Sequence, residues 1–171
     1  MNIFILDYDI NKNAQFHCNK HIVKMPLELA QMISTTYHVL EYTNLPDFIF
    51  SKASYINHPC TKWVRKNRNN FNYTCKLGLA LYNEYQYRYN KPDKMQRVKQ
   101  IFEYGLKHNP FPILNSCNKN ITPFALAMPD KYKTNDVVES YRNYYLGEKE
   151  HLFKWTKRDI PHWITKGNNN V

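Results

Sequence analysis

From Asn11 to Glu41 apolar residues return at close to a 3.6-residue period, and this pattern limits what the chain can fold into. Phe16, Val23, Leu27, Ala30, Ile33, Tyr37 and Leu40 follow it, which predicts an amphipathic helix with one buried stripe. Pro26 lies inside the run and offers no N–H to the carbonyl of residue 22, so a kink, or the meeting of two helices, is expected there. Pro59 suits the first turn of a second helix, which should break near Asn69–Asn70 and end near Tyr89. A third helix is expected over 93–107, capped by Asp93. The segment "NDVVESYRNYYLGEKEHLFKW" restarts a helix, with Thr134 or Asn135 as its cap and Gly147 as an interruption.

Two stretches fall outside this periodicity. "NIFIL" (2–6) reads as a strand or a buried extended entry. Residues 108–134 carry four of the nine prolines, the mark of a functional loop or a packed irregular wrap. The expected fold is therefore mainly α. A single compact helical domain over residues 1–166 would have a short N-terminal extended segment and a long proline-containing loop. Residues 167–171 would form a disordered tail.

The first helix carries a second stripe, and it is polar. His17, His21, Lys24, Glu28, Gln31 and Thr35 are spaced by steps of four and three, with Lys20 beside them. A solvated face is the plain reading. Against it, Lys24 precedes Glu28, the weaker order for a helical ion pair, and two histidines are poor helix formers. Three chemistries compete for the stripe. His17 and His21 have metal-ligand spacing, but position 18 is Cys where a metalloprotease helix needs its general base, and a third ligand would have to come from His58 or Cys60. Glu28, with His21 and Lys24 nearby, suits acid–base work, and Lys24 suits attack as an amine. Lys20, Lys24 and His21 also suit plain phosphate binding. The reading taken here requires no metal and no cofactor.

Charge points to a polyanionic partner. Lys and Arg number 24 against 14 acids, a net +10, which raises the local concentration of nucleic acid. Cations interleave with aromatics in "KWVRKNR" (62–68) and "KWTKR" (154–158), and "KPDKMQRVK" (91–99) adds further charge, a pattern fit for tracking phosphates and stacking on bases. Candidate nucleic-acid or phosphate contacts are His17, Lys20, Gln31, His58, Arg65, Arg88, Lys91, Lys157 and Arg158. For two of them a structural role competes: Arg88 is placed to pair with Glu84, and His58 to cap a turn. No run of about 18 apolar residues is present, so no membrane span is expected. The start, "MNIFILDYDI", lacks the basic region of a secretory signal. Cys18, Cys60, Cys75 and Cys117 form no CxxC pair, which together with that start suggests reduced thiols in an intracellular protein.

The segments "KHIVKMPLELAQMI", "NHPC..W.R", "L.NEYQYRYNK" and "YRNYYLGEK...W.KR..PHW" resemble a family of phage and large-virus proteins and are distantly similar to the pyrimidine-dimer DNA glycosylase superfamily. That resemblance implies a compact, mainly helical protein that binds damaged duplex DNA, cleaves the N-glycosidic bond and nicks at the abasic site. In such enzymes a processed N-terminal amine attacks the sugar C1′ and a helix glutamate assists. This chain departs from the pattern at both points. Residue 2 is Asn, before which the initiator Met is usually retained, so Met1 would carry the amine. The position aligned with the helix glutamate is Pro26, with Glu28 two places on. The expected function is a DNA-binding, glycosylase/lyase-like enzyme acting on damaged or modified DNA. Met1 or Lys24 would supply the amine, Glu28 would assist, and His21 and Lys20 would lie on flanking phosphates. The alternative is a viral nucleotide- or signalling-nucleotide-binding counter-defence protein with no DNA chemistry.

Overall fold

A computed structural model of the protein describes residues 1–112 and 120–165. The expected tail at 167–171 and Cys117 lie outside the described residues. Among the described residues there are seven α-helices: α1 (Ile10–Phe16), α2 (Asn19–Val39), α3 (Pro59–Val64), α4 (Arg68–Tyr89), α5 (Gln96–Lys107), α6 (Val137–Lys149) and α7 (His162–Thr165). Among the described residues there is no strand. The chain is mainly α, as its periodicity predicts. "NIFIL" is not a strand. Ile3, Phe4, Ile5 and Leu6 are buried with no strand partner, and the Leu6 N–H donates to Asn13 Oδ1 at 2.9 Å.

The first break falls earlier than expected. His17 and Cys18 are extended, with ψ of 133° and 162°, so the chain turns between α1 and α2 there and α2 runs unbroken past Pro26. The Cys18 N–H donates to the Tyr145 hydroxyl at 3.0 Å, a tertiary partner that stands in for a helical carbonyl. The second break lies at 65–67, because the Asn67 side chain accepts from the Asn70 N–H and caps α4. A 3-10 turn over Pro92–Met95 delays α5, whose N-cap residue is Met95 rather than Asp93. The cap of α6 is Asp136, which accepts from the Glu139 N–H. Gly147 lies within α6, where a Cβ would overlap the Tyr132 ring.

Helix α2 packs on α4 and α5, and α1 packs on α4. Its buried face holds Ile22, Met25, Leu29, Met32, Ile33 and Tyr37, whereas Val23, Leu27 and Leu40 are exposed. The apolar period is real, but its centre is rotated from the stripe read in the sequence. Close approach of α4 and α5 requires Gly78, since a Cβ there would overlap the Phe102 ring. The described part of the proline-containing segment is packed down. The Trp63 indole N–H donates to the carbonyls of Thr122 and Pro123, and the Tyr141 hydroxyl donates to Ala125 O at 2.6 Å.

Candidate active site

The polar stripe is divided: Lys24 is exposed, whereas His17, in the turn before α2, is buried along with His21, Glu28 and Thr35 of α2. His17 is 1% exposed, His21 6% and Glu28 8%, so a solvated face does not describe it. Burying a carboxylate requires partners, and Glu28 has three. Its Oε2 accepts from the Asn2 N–H at 3.0 Å and lies 3.8 Å from the Met1 α-amino nitrogen, while Oε1 meets Lys24 Nζ at 3.1 Å. The N-terminal segment is pinned there from several sides. Asn2 Nδ2 donates to Ala127 O at 2.9 Å, and Asn2 Oδ1 accepts from the Ile3 N–H at 2.8 Å and lies 2.9 Å from the Tyr141 hydroxyl, whose one proton it shares with Ala125 O. The Met1 side chain is itself buried.

Met1, Lys24, His21 and Glu28 line one small hollow of about 130 Å³, whose far side is Tyr144 and Lys149 of α6. Beside it runs a larger groove of about 940 Å³ lined by Lys20, Lys24, Lys149 and Lys154, together with His21, Val23, Tyr89, His151 and Phe153. Among the described residues no carboxylate lines the groove. Four ammonium groups with aromatic and apolar surface between them favour an anion that also has flat faces.

His21 is kept neutral. Burial pushes its pKa down to about 3, helped by His17, Lys149 and Lys24. Burial likewise lowers His17 to about 4, partly opposed by its hydrogen bond to Asn13 O at 2.7 Å. The two rings are 6.3 Å apart, and the Nδ1 atom of each is already engaged, His21 with the Tyr145 hydroxyl at 2.6 Å. Among the described residues no group of three His, Cys, Asp or Glu side chains is placed to hold a metal ion. Cys18, Cys60 and Cys75 are free and buried.

The remaining sequence candidates lie elsewhere. Arg88 is 2% exposed, and its guanidinium is spent on Glu84 Oε1 (2.7 Å), His17 O, Asn19 Oδ1 and Gln15 O. It ties α4 to the turn before α2 and cannot face a phosphate, and neither can buried His17. Arg158 grips both oxygens of the same Glu84 and lies 4.1 Å over the Tyr87 ring. Lys157 Nζ donates to Tyr87 O. Arg65 donates to Ile56 O at 2.6 Å. Lys91 is exposed and Gln31 half-buried, and neither lines the hollow or the groove. His58 caps α3 by accepting from the Cys60 N–H at 3.2 Å. Burial and the charge of the terminal amine lower its pKa, while Glu28 raises it, so its ring lies within electrostatic reach of the cluster.

Sequence reading missed Lys149, Phe153 and Lys154, which complete the groove from the far end of the chain. "YRNYYLGEK" and "KWTKR" held the signal, an aromatic–basic alternation, but nothing in them shows which aromatics are core: Tyr141 and Tyr145 are fully buried. No helix among the described residues is long and apolar enough to cross a membrane.

A family model described as pyrimidine dimer DNA glycosylase matches residues 1–97, more than half of the chain. No curated protein and no solved structure gives a significant match. The matched region contains Met1, His21, Lys24 and Glu28, and ends before α6.

Proposed function

The chain belongs to the pyrimidine dimer DNA glycosylase family, and on that premise we propose that it cleaves the N-glycosidic bond of a damaged pyrimidine in duplex DNA and then nicks the strand. The observation that carries this reading is one buried carboxylate facing an amine in a hollow beside a cationic groove. Glu28 takes a proton from the amine, whose lone pair attacks C1′. The glycosidic bond breaks and its electron pair leaves with the base. Glu28 returns the proton to O4′ as the C1′–O4′ bond breaks, which gives an imine between protein and C1′; loss of a C2′ proton to water then forms the C2′–C3′ double bond and expels the 3′ phosphate.

Glu28 rather than Pro26 takes the role of the helix glutamate. Its Oε2 lies 3.8 Å from the Met1 nitrogen and 3.0 Å from the Asn2 nitrogen. Whichever of these two residues carries the free amine, that amine faces the same oxygen. Lys24 Nζ, 3.1 Å from Oε1, is the competing nucleophile. Lys20, Lys149 and Lys154 hold backbone phosphates along the groove, and Tyr89 and Phe153 offer faces to bases.

Borohydride added during reaction with UV-irradiated or abasic duplex should reduce the imine to a stable protein–DNA adduct. Peptide mapping then identifies the attacking nitrogen as that of residue 1, residue 2 or Lys24. Tight duplex binding without an adduct would reduce the protein to a DNA binder. Saturable binding of mononucleotides with little salt dependence would instead support a nucleotide-binding protein.

A further inference from the structure

The His21 ring forms one wall of the hollow, and a residue 124 positions away controls it. Tyr145 of α6 is fully buried, and its hydroxyl oxygen lies 2.6 Å from His21 Nδ1. The same oxygen accepts the Cys18 N–H at 3.0 Å. Phe4 stacks on the imidazole at 4.8 Å and 18°, and the Tyr145 ring meets it edge-on at 5.1 Å, so the ring has little room to turn.

Proton accounting points to one tautomer. The Tyr145 oxygen already accepts from Cys18, and the phenol's own proton needs an acceptor because the group is buried. Nδ1, 2.6 Å away, is an acceptor for that proton when it carries none itself. The Cys18 thiol also neighbours the hydroxyl, but sulfur is a weak acceptor. The phenol therefore donates to Nδ1, and the single proton of the neutral ring sits on Nε2. His17 is the opposite case. Its Nδ1 faces the Asn13 carbonyl at 2.7 Å, an acceptor only, so that ring carries its proton on Nδ1.

We propose that Tyr145 is a positioning residue that locks His21 as the Nε2–H tautomer, so that His21 acts as a neutral hydrogen-bond donor to a phosphate oxygen of DNA and not as a base. The proposal rests on the reading that the hollow is where DNA reacts. It also assigns a role in the site to a residue beyond the matched 1–97 segment.

Long-range ¹H–¹⁵N spectra of the ¹⁵N-histidine-labelled protein read both tautomers directly, with His17 as an internal reference. His21 should show the Nε2–H pattern and His17 the Nδ1–H pattern, and Tyr145→Phe should shift His21 towards a mixture. His21 found as Nδ1–H in the unmodified protein overturns the proposal, whether or not Tyr145→Phe folds. Binding supplies the second arm. His21→Gln keeps an N–H donor near the Nε2 position, whereas His21→Asn places its amide near Nδ1. Asn should weaken duplex binding by about tenfold more than Gln, the scale of one hydrogen bond to a charged oxygen. Equal weakening by the two overturns the donor role. A failure of borohydride trapping leaves the tautomer readout untouched, so the two readings fail separately.

Discussion

Lys24 Nζ stands 3.1 Å from Glu28 Oε1, an exposed ammonium on a nearly buried carboxylate. Because the lysine side chain is 67% exposed, it can leave Glu28 for a phosphate at small cost. Lys24→Gln should weaken duplex binding and lower the slope of log K against log salt by about 0.9, the value for one lost phosphate contact. Titration of a fluorescent duplex at several salt concentrations measures both. If the attacking amine belongs to residue 1 or 2, trapping persists in this variant.

Glu28→Gln keeps an acceptor for the Asn2 N–H but loses the base. Single-turnover cleavage of UV-irradiated duplex should fall by about 10²–10⁴-fold, with duplex affinity within a few-fold of the parent. An unchanged rate would remove Glu28 from the chemistry.

Stability should fall on acidification. His17 and His21 have folded pKa values of about 4 and about 3, below the ordinary 6.5. Between these values and 6.5 the unfolded chain binds more protons than the folded one, so the contribution is complete above about pH 6.5 and declines as pH drops towards 3–4. The limiting slope is about 1.4 kcal/mol per pH unit for each histidine. Urea unfolding across this range would show it, and His21→Gln should flatten the dependence.

Arg88 and Arg158 share Glu84 but differ in burial, their side chains being 0% and 30% exposed. Arg88→Ala removes the donor to the buried His17 carbonyl and the half-buried Gln15 carbonyl and leaves Glu84 with Arg158 alone, and should cost about 3 kcal/mol. Arg158→Ala should cost about 1 kcal/mol or less. Thermal unfolding separates them. A large loss of DNA affinity in folded Arg88→Ala would contradict its structural assignment.

Gly78→Ala should destabilise by about 1–3 kcal/mol, because the added methyl must displace the fully buried Phe102 ring. Denaturant melts would register this as a lower midpoint with an unchanged slope.

Helix content was legible because period and capping chemistry are local. Helix breaks were less so. Cys18 ends a helical run by bonding to Tyr145, a partner no window of sequence contains, while Pro26 disrupts less than its chemistry suggests. The stripe of His21, Lys24 and Glu28 was legible as one face, but its orientation was not. Inward burial depends on the N-terminal segment covering it, and Asn2 is held by Ala127 and Tyr141 from the other end of the chain. The pairing of Arg88 with Glu84 was legible from its spacing, but the backbone acceptors that saturate the guanidinium were not.

The groove draws its opposing banks from two distant stretches. Lys20, His21 and Lys24 come from α2, and Lys149, Phe153 and Lys154 from beyond residue 97. The two ends are also interlocked, since Tyr145 holds His21 and Ala127 holds Asn2. A truncated chain ending near residue 97 would therefore lose not only cations but the anchorage of the residues around Glu28.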